Sequence, residues 1–156
     1  MANKTHLSYK DDKKGFWIGE AETEMIFYFI LKTFNKLNPD VEFKDIFRND
    51  MEASASGRNT GYLVLSWNYY LKTEEHEQQM IEILEETIND LNTHGEHIPV
   101  KALQEAAEFT PKVEYRTPYE KPLETKYVVE VLESLILMLK GEWRHENYNL
   151  AFDHYW

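Results

Sequence analysis

A mainly α fold, of about five to six helices around one core, is what this sequence predicts, with a small antiparallel sheet drawn from residues 5–18 and 61–70. Three observations predict it. Apolar residues return at helical spacing in several separate segments, which is the mark of helices with one buried face. Runs with the branched and aromatic composition of strands are confined to two short stretches near residues 5–18 and 62–70. The chain of 156 residues shows no internal repeat and no composition shift that would divide it, so 1–156 reads as a single domain.

Taken in order, residues 5–10 and 16–18 flank Asp11-Asp12-Lys13-Lys14-Gly15, a polar turn ending in glycine. Two readings stand here, a small hairpin and a frayed tail covering 1–14. The first helix is predicted over 20–37, where Met25, Ile26, Phe29, Ile30, Phe34 and Leu37 make a broad stripe and Asn38-Pro39 closes it. Phe27 and Tyr28 widen that stripe, so burial should extend around much of the helix. A weaker helix follows over 43–55 on Phe43, Ile46, Phe47 and Met51, and the Ser/Gly-rich stretch 54–61 reads as a loop. Residues 62–70 then form the strongest strand candidate, with Leu63, Leu65, Trp67 and Tyr69 on one face, a buried helix being the alternative.

Thr73 is placed to cap a long helix with Glu74, Glu75 and Glu77 in its first turn, a favourable position against the helix dipole. Its core stripe is Met80, Ile81, Leu84, Ile88 and Leu91, and His94-Gly95 ends it. A short helix is expected after Ile98-Pro99 through Ala102, Leu103, Ala106 and Ala107. Pro111, Pro118 and Pro122 make 110–125 an extended path. Residues 126–140 are the most thoroughly apolar helix and are expected at the centre of the core. Beyond Gly141, Tyr148, Phe152 and Tyr155 or Trp156 recur at helical spacing, in a tail aromatic enough to dock.

Composition narrows function by exclusion. The absence of cysteine removes disulfide scaffolding, thiol catalysis and Cys-ligated zinc. The first 14 residues hold charged side chains and no apolar core segment, and no apolar run reaches the roughly 20 residues of a membrane span. A cytoplasmic protein is expected on that basis. A formal charge of −11 is the wrong sign for binding nucleic acid or an anionic membrane. Its complement is a basic protein partner, and its plain alternative is a charge that serves solubility. Nothing in the sequence states an oligomeric state.

The charge is concentrated. From Thr73 to Val100 there are eight acids and no Lys or Arg. Glu75, Glu82, Glu85 and Glu86 share the face opposite the core stripe, a ridge of like charge that reads either as a docking face or as a solvated one. The stretch Tyr115-Arg116-Thr117-Pro118-Tyr119 offers Tyr115, Arg116 and Tyr119, residue types enriched at binding hot spots, and reads equally as a structural crossover.

Chemistry is less well served. His94 and His97 bracket Gly95-Glu96, and Glu142 stands three residues before His145, but neither spacing completes a metal site. Glu20, Glu22 and Glu24 are ordinary choices at a helix start. No phosphate loop, nucleophile elbow or His-Glu-x-x-His is present, so no catalytic residue, cofactor or metal is assigned. An acidic binding protein therefore ranks ahead of an enzyme, an immunity protein against a basic nuclease-type toxin being one form and an acidic nucleic-acid mimic another. The alternative is a small enzyme or ligand-binding domain with an aromatic pocket from Phe27, Tyr28, Trp67 and Tyr69. A subunit that oligomerises through its aromatic C-terminus is the third class.

Overall fold

The computed structural model describes residues 4–57, 62–109 and 119–151. Strands β1 (Lys4–Tyr9) and β2 (Asp11–Gly19) form a hairpin, so the first segment is hairpin and not frayed from Lys4 onward. The turn is not at the polar run as expected. Lys10, at φ 64°, turns the chain, and Asp11–Gly15 belong to β2, where pairing jumps from Ser8↔Gly15 to Tyr9↔Asp11 and the charged residues between are bulged out.

Helices α1 (Glu20–Leu37) and α2 (Lys44–Ala55) follow, then β3 (Tyr62–Leu65), α3 (Glu74–Asn92), β4 (His97–Ile98), α4 (Val100–Phe109), β5 (Leu123–Glu124), α5 (Thr125–Leu139) and β6 (Tyr148–Asn149). The fold is mainly helical with a small sheet, as the periodicity implied. The sheet has the order β3-β1-β2-β6, and β4 pairs with β5 separately. It is mixed: β1 and β2 are antiparallel, whereas β3 lies parallel to β1 and β6 parallel to β2.

Register explains the burial of the inner strands. Cross-strand partners share a face, so Thr5 with Ile18 and Leu7 with Phe16 line one side, and His6 with Trp17 the other. Every residue from Thr5 to Tyr9 is buried, which means that both faces of β1 are covered. Strand 62–70 is shorter than its composition implied. It stops at Leu65, and Ser66–Tyr69 form a 3-10 turn that buries Trp67 completely and leaves Tyr69 71% exposed.

The centre of the core is α1 and not the 126–140 helix. α1 packs against α2, α3, α4 and both inner strands, while α5 lies on α3, β1 and β5. The sequence ranking misjudged this because Glu22, Thr23, Glu24 and Thr33 are buried in α1, and polar residues lower an apolar tally. Asn38 in the left-handed region ends α1, its N–H donating to the Phe34 carbonyl at 2.8 Å, and Pro39 prevents continuation. Phe34 meets Phe47 of α2 at a ring separation of 4.6 Å, which locks the two helices together.

Thr73 caps α3 as expected, its hydroxyl accepting from the His76 N–H at 3.1 Å. The Thr125 N–H donates to the Glu96 carbonyl at 2.9 Å, joining the end of α3 to the start of α5, so these packed helices run in opposite directions. After α5, Gly141 at φ 71° reverses the chain, with Gly141 N–H bonded to the Met138 carbonyl and Glu142 N–H to that of Leu137. The expected helical spacing of Tyr148 is overridden. It sits in β6, and the adjoining chain is stitched to β2 through Gly15 N–H to His145 O (3.0 Å) and Leu150 N–H to Trp17 O (2.8 Å). Phe152, Tyr155 and Trp156 lie outside the described residues.

Candidate functional site

The carboxylates of α3 divide into two groups according to the side of the helix they occupy. Glu77 and Asp90 face other elements and are neutralised there. Glu77 Oε2 receives the Tyr9 hydroxyl (3.3 Å) and the Lys10 ammonium (3.4 Å) from the hairpin. Asp90 accepts from the Thr33 hydroxyl (2.8 Å) and from Lys36, both on α1. Burial raises the Asp90 pKa, but the hydrogen bonds from Lys36 and Thr33 and the charges of Lys36 and Lys32 outweigh it and hold the carboxyl below its usual range.

Glu75, Glu82 and Glu85 belong to the other group. All three are exposed, Glu86 is half-buried, and among the described residues none of the four has a cation within ion-pairing distance. Glu86 accepts from the Asn89 amide, at 3.4 Å. The ridge foreseen from helical spacing is therefore present, and the lysines supplied by tertiary structure go to its flanks. Unrelieved like charge costs a helix a few tenths of a kcal/mol per pair, roughly, at i,i+4 spacing.

The remaining surface candidates fare differently. Tyr115 and Arg116 lie outside the described residues. Tyr119 is only 3% exposed, and its carbonyl accepts from the Gln104 side chain at 3.1 Å, so it packs on the core as in the crossover reading. Phe27, Tyr28, Trp67 and Tyr69 do not form the aromatic pocket that composition suggested. Phe27 and Trp67 are buried, Tyr69 is out in solvent, and Tyr28 packs against Phe109 with tilted rings 5.6 Å apart.

Of the histidines considered for metal, His145 is packed against Trp143 and Tyr148, with ring separations of 5.0 and 4.8 Å. Among the described residues, no three His, Asp or Glu side chains converge on a point that could hold a metal ion. Nor, among them, is any helix long and apolar enough to cross a membrane.

Sequence reasoning missed the surroundings of two acids, Glu22 and Asp50. Glu22 folds back over Gly19 at the start of α1, where burial pushes its pKa up against the pull of its own backbone N–H and of Lys4. Asp50 accepts from the Tyr70 hydroxyl at 2.7 Å and from Ser66. Its pKa too is raised by burial, and burial with the adjacent Asp50 raises that of Tyr70. Helical periodicity carries no signal for either, because both partners come from distant segments or from the cap. Also unforeseen is a groove of about 360 Å³ between α1, α3 and α4, bordered by Lys32, Lys36 and His94.

The chain matches no protein-family model, no curated protein and no solved structure.

Proposed function

We propose that this chain is a binding protein that docks a basic protein partner on the exposed face of α3 and acts by occupying or occluding it. An immunity protein that neutralises a basic, nuclease-type toxin inside the producing cell is the form that best fits an acidic chain of this size. The observation that carries the reading is the partition of charge on α3. Where the helix meets its own fold, Glu77 and Asp90 are given cations, and where it meets solvent, Glu75, Glu82 and Glu85 are given none among the described residues. A partner that supplies lysines or arginines would relieve a repulsion the fold leaves in place, and opposite charge would speed encounter.

Replacing Glu75, Glu82, Glu85 and Glu86 together with Gln tests this, because Gln is nearly as good a helix former as Glu and folding should survive. Association with the partner captured from native lysate should slow in the variant. The wild-type rate should fall steeply with salt, since exposed charges are screened beyond about 8 Å at physiological ionic strength. An unchanged rate and salt slope would reduce the ridge to a solubility surface.

A further inference from the structure

We propose that the groove between α1, α3 and α4 binds a small amphipathic anion, an aliphatic or aromatic carboxylate being the simplest case. Its volume of about 360 Å³ is at the lower end of the range for small-molecule sites, roughly 300–1,000 Å³, and suits a medium-chain acid. Phe29 and Leu91 line it with apolar surface, Ala102 of α4 beside them, and Lys32, Lys36 and His94 line it too, together with the carboxylate of Asp90. The lysines come from one face of α1 at i and i+4, on the stripe that also presents Phe29 and Thr33.

Hydrogen-bond capacity sets the sign of the ligand. Lys32 Nζ holds Glu105 Oε2 at 2.7 Å and Lys36 Nζ holds Asp90, so each ammonium, with three donors, keeps two for an incoming group. Both lysine side chains are more than half exposed, so those remaining donors are open to an incoming group. The two carboxylates are already engaged: Asp90 takes Lys36 and Thr33 on separate oxygens, and Glu105 takes Lys32 and Tyr28. His94, just past the end of α3, lines the groove as well, and its imidazole carries an N–H donor.

The groove thus offers spare donors beside apolar surface, which is the complement of a carboxylate on a hydrocarbon body. The net charge of −11 argues against a polyanion at the same place, because long-range repulsion grows with the ligand's charge. For a monoanion that repulsion is smallest, and since Asp90 and Glu105 balance the charges of Lys36 and Lys32, what the groove offers it is hydrogen bonds from the ammonium groups. The inference rests on the groove alone and does not depend on the docking face of α3.

Amide NMR titration with octanoate, with octanol as the uncharged control of equal chain length, tests it on the wild-type protein. Octanoate should produce saturable shifts at Thr33, Leu91 and Ala102, and octanol should bind about three- to tenfold more weakly, the range expected for two solvent-exposed cations. In the Lys32→Gln/Lys36→Gln double variant the two ligands should bind alike. Absence of saturable shifts at these amides, equal affinities in the wild type, or an octanoate preference that survives in the double variant would each overturn the proposal. The comparison of octanoate with octanol needs only the wild-type protein, so it decides even if the variant does not fold.

Discussion

Gly15→Ala should damage this protein out of proportion to one methyl group. Gly15 lies in β2 opposite Ser8, and a Cβ built there would fall 2.0 Å from the Leu7 carbonyl oxygen and 2.7 Å from Cε1 of His6. Carbon and oxygen in contact sit roughly 3.3 Å or more apart, so about 1.3 Å of separation must be found. The obstacle is backbone in β1, a strand buried on both faces, and it cannot rotate away as a side-chain tip can. Gly15 also anchors the C-terminal segment: its N–H donates to His145 O at 3.0 Å, and its carbonyl accepts from the Trp143 indole at 3.3 Å. Overpacking of about 1–3 kcal/mol combines with one or two weakened hydrogen bonds at about 0.5–1.5 kcal/mol each. The expected loss is about 2–4 kcal/mol, or roughly 4–16 °C in Tm for a chain of this length. Gly19→Ala is the control. There the Cβ would meet Glu22 Oε2 at 1.5 Å, the movable end of a side chain, and the cost should stay near that of a lost helix cap, about 1 kcal/mol. Urea unfolding of both variants measures the difference. A Gly15→Ala protein within about 0.5 kcal/mol of wild type, or one more stable than Gly19→Ala, would refute the reasoning.

Leu135 of α5 is completely buried, and Leu135→Ala should cost about 2–5 kcal/mol in the same assay. A loss no larger than that of a surface substitution would show that α5 contributes less to the core than its burial implies. Thr73→Ala removes the cap of α3 and should cost about 1 kcal/mol, with amide exchange rising first at His76. Asp90 carries a pH prediction: a carboxyl whose folded pKa is depressed stabilises the fold above its unfolded value, about 3.9, and loses that stabilisation as pH falls through the lower folded value. Asp90→Asn should therefore flatten the decline of Tm below about pH 4. An acid limb as steep as that of the wild type would show that the Lys36 and Thr33 contacts do not stabilise the charge.

Where an interaction repeats along the chain, the sequence alone was enough to reveal it. The extents of α1 and α2 follow from apolar spacing, the start of α3 from Thr73 as cap, and the close of α1 from Asn38-Pro39, because each is decided within a few residues. The acidic ridge was legible for the same reason, as Glu75, Glu82, Glu85 and Glu86 share a face by helical geometry. Where the outcome depends on a partner far along the chain, local pattern failed. Strand 62–70 reads as one strand by composition, but only the length of β1 beside it decides that pairing ends at Leu65 and that Trp67 turns inward. Tyr148 keeps a helical spacing and yet becomes strand, because β2 offers it an open edge.

Tertiary structure alone decided which charges remain bare. The sequence counts eight acids on and after α3 without a cation among them, and it cannot say that Lys10 and Lys36 arrive from the hairpin and from α1 to neutralise Glu77 and Asp90. Nor can it place Lys32 and Lys36 in the lining of one groove. Ion pairing falls off with distance through space and is indifferent to separation along the chain, so the chain's own residues determine how much charge there is, and only the fold determines where that charge is left for something else to meet.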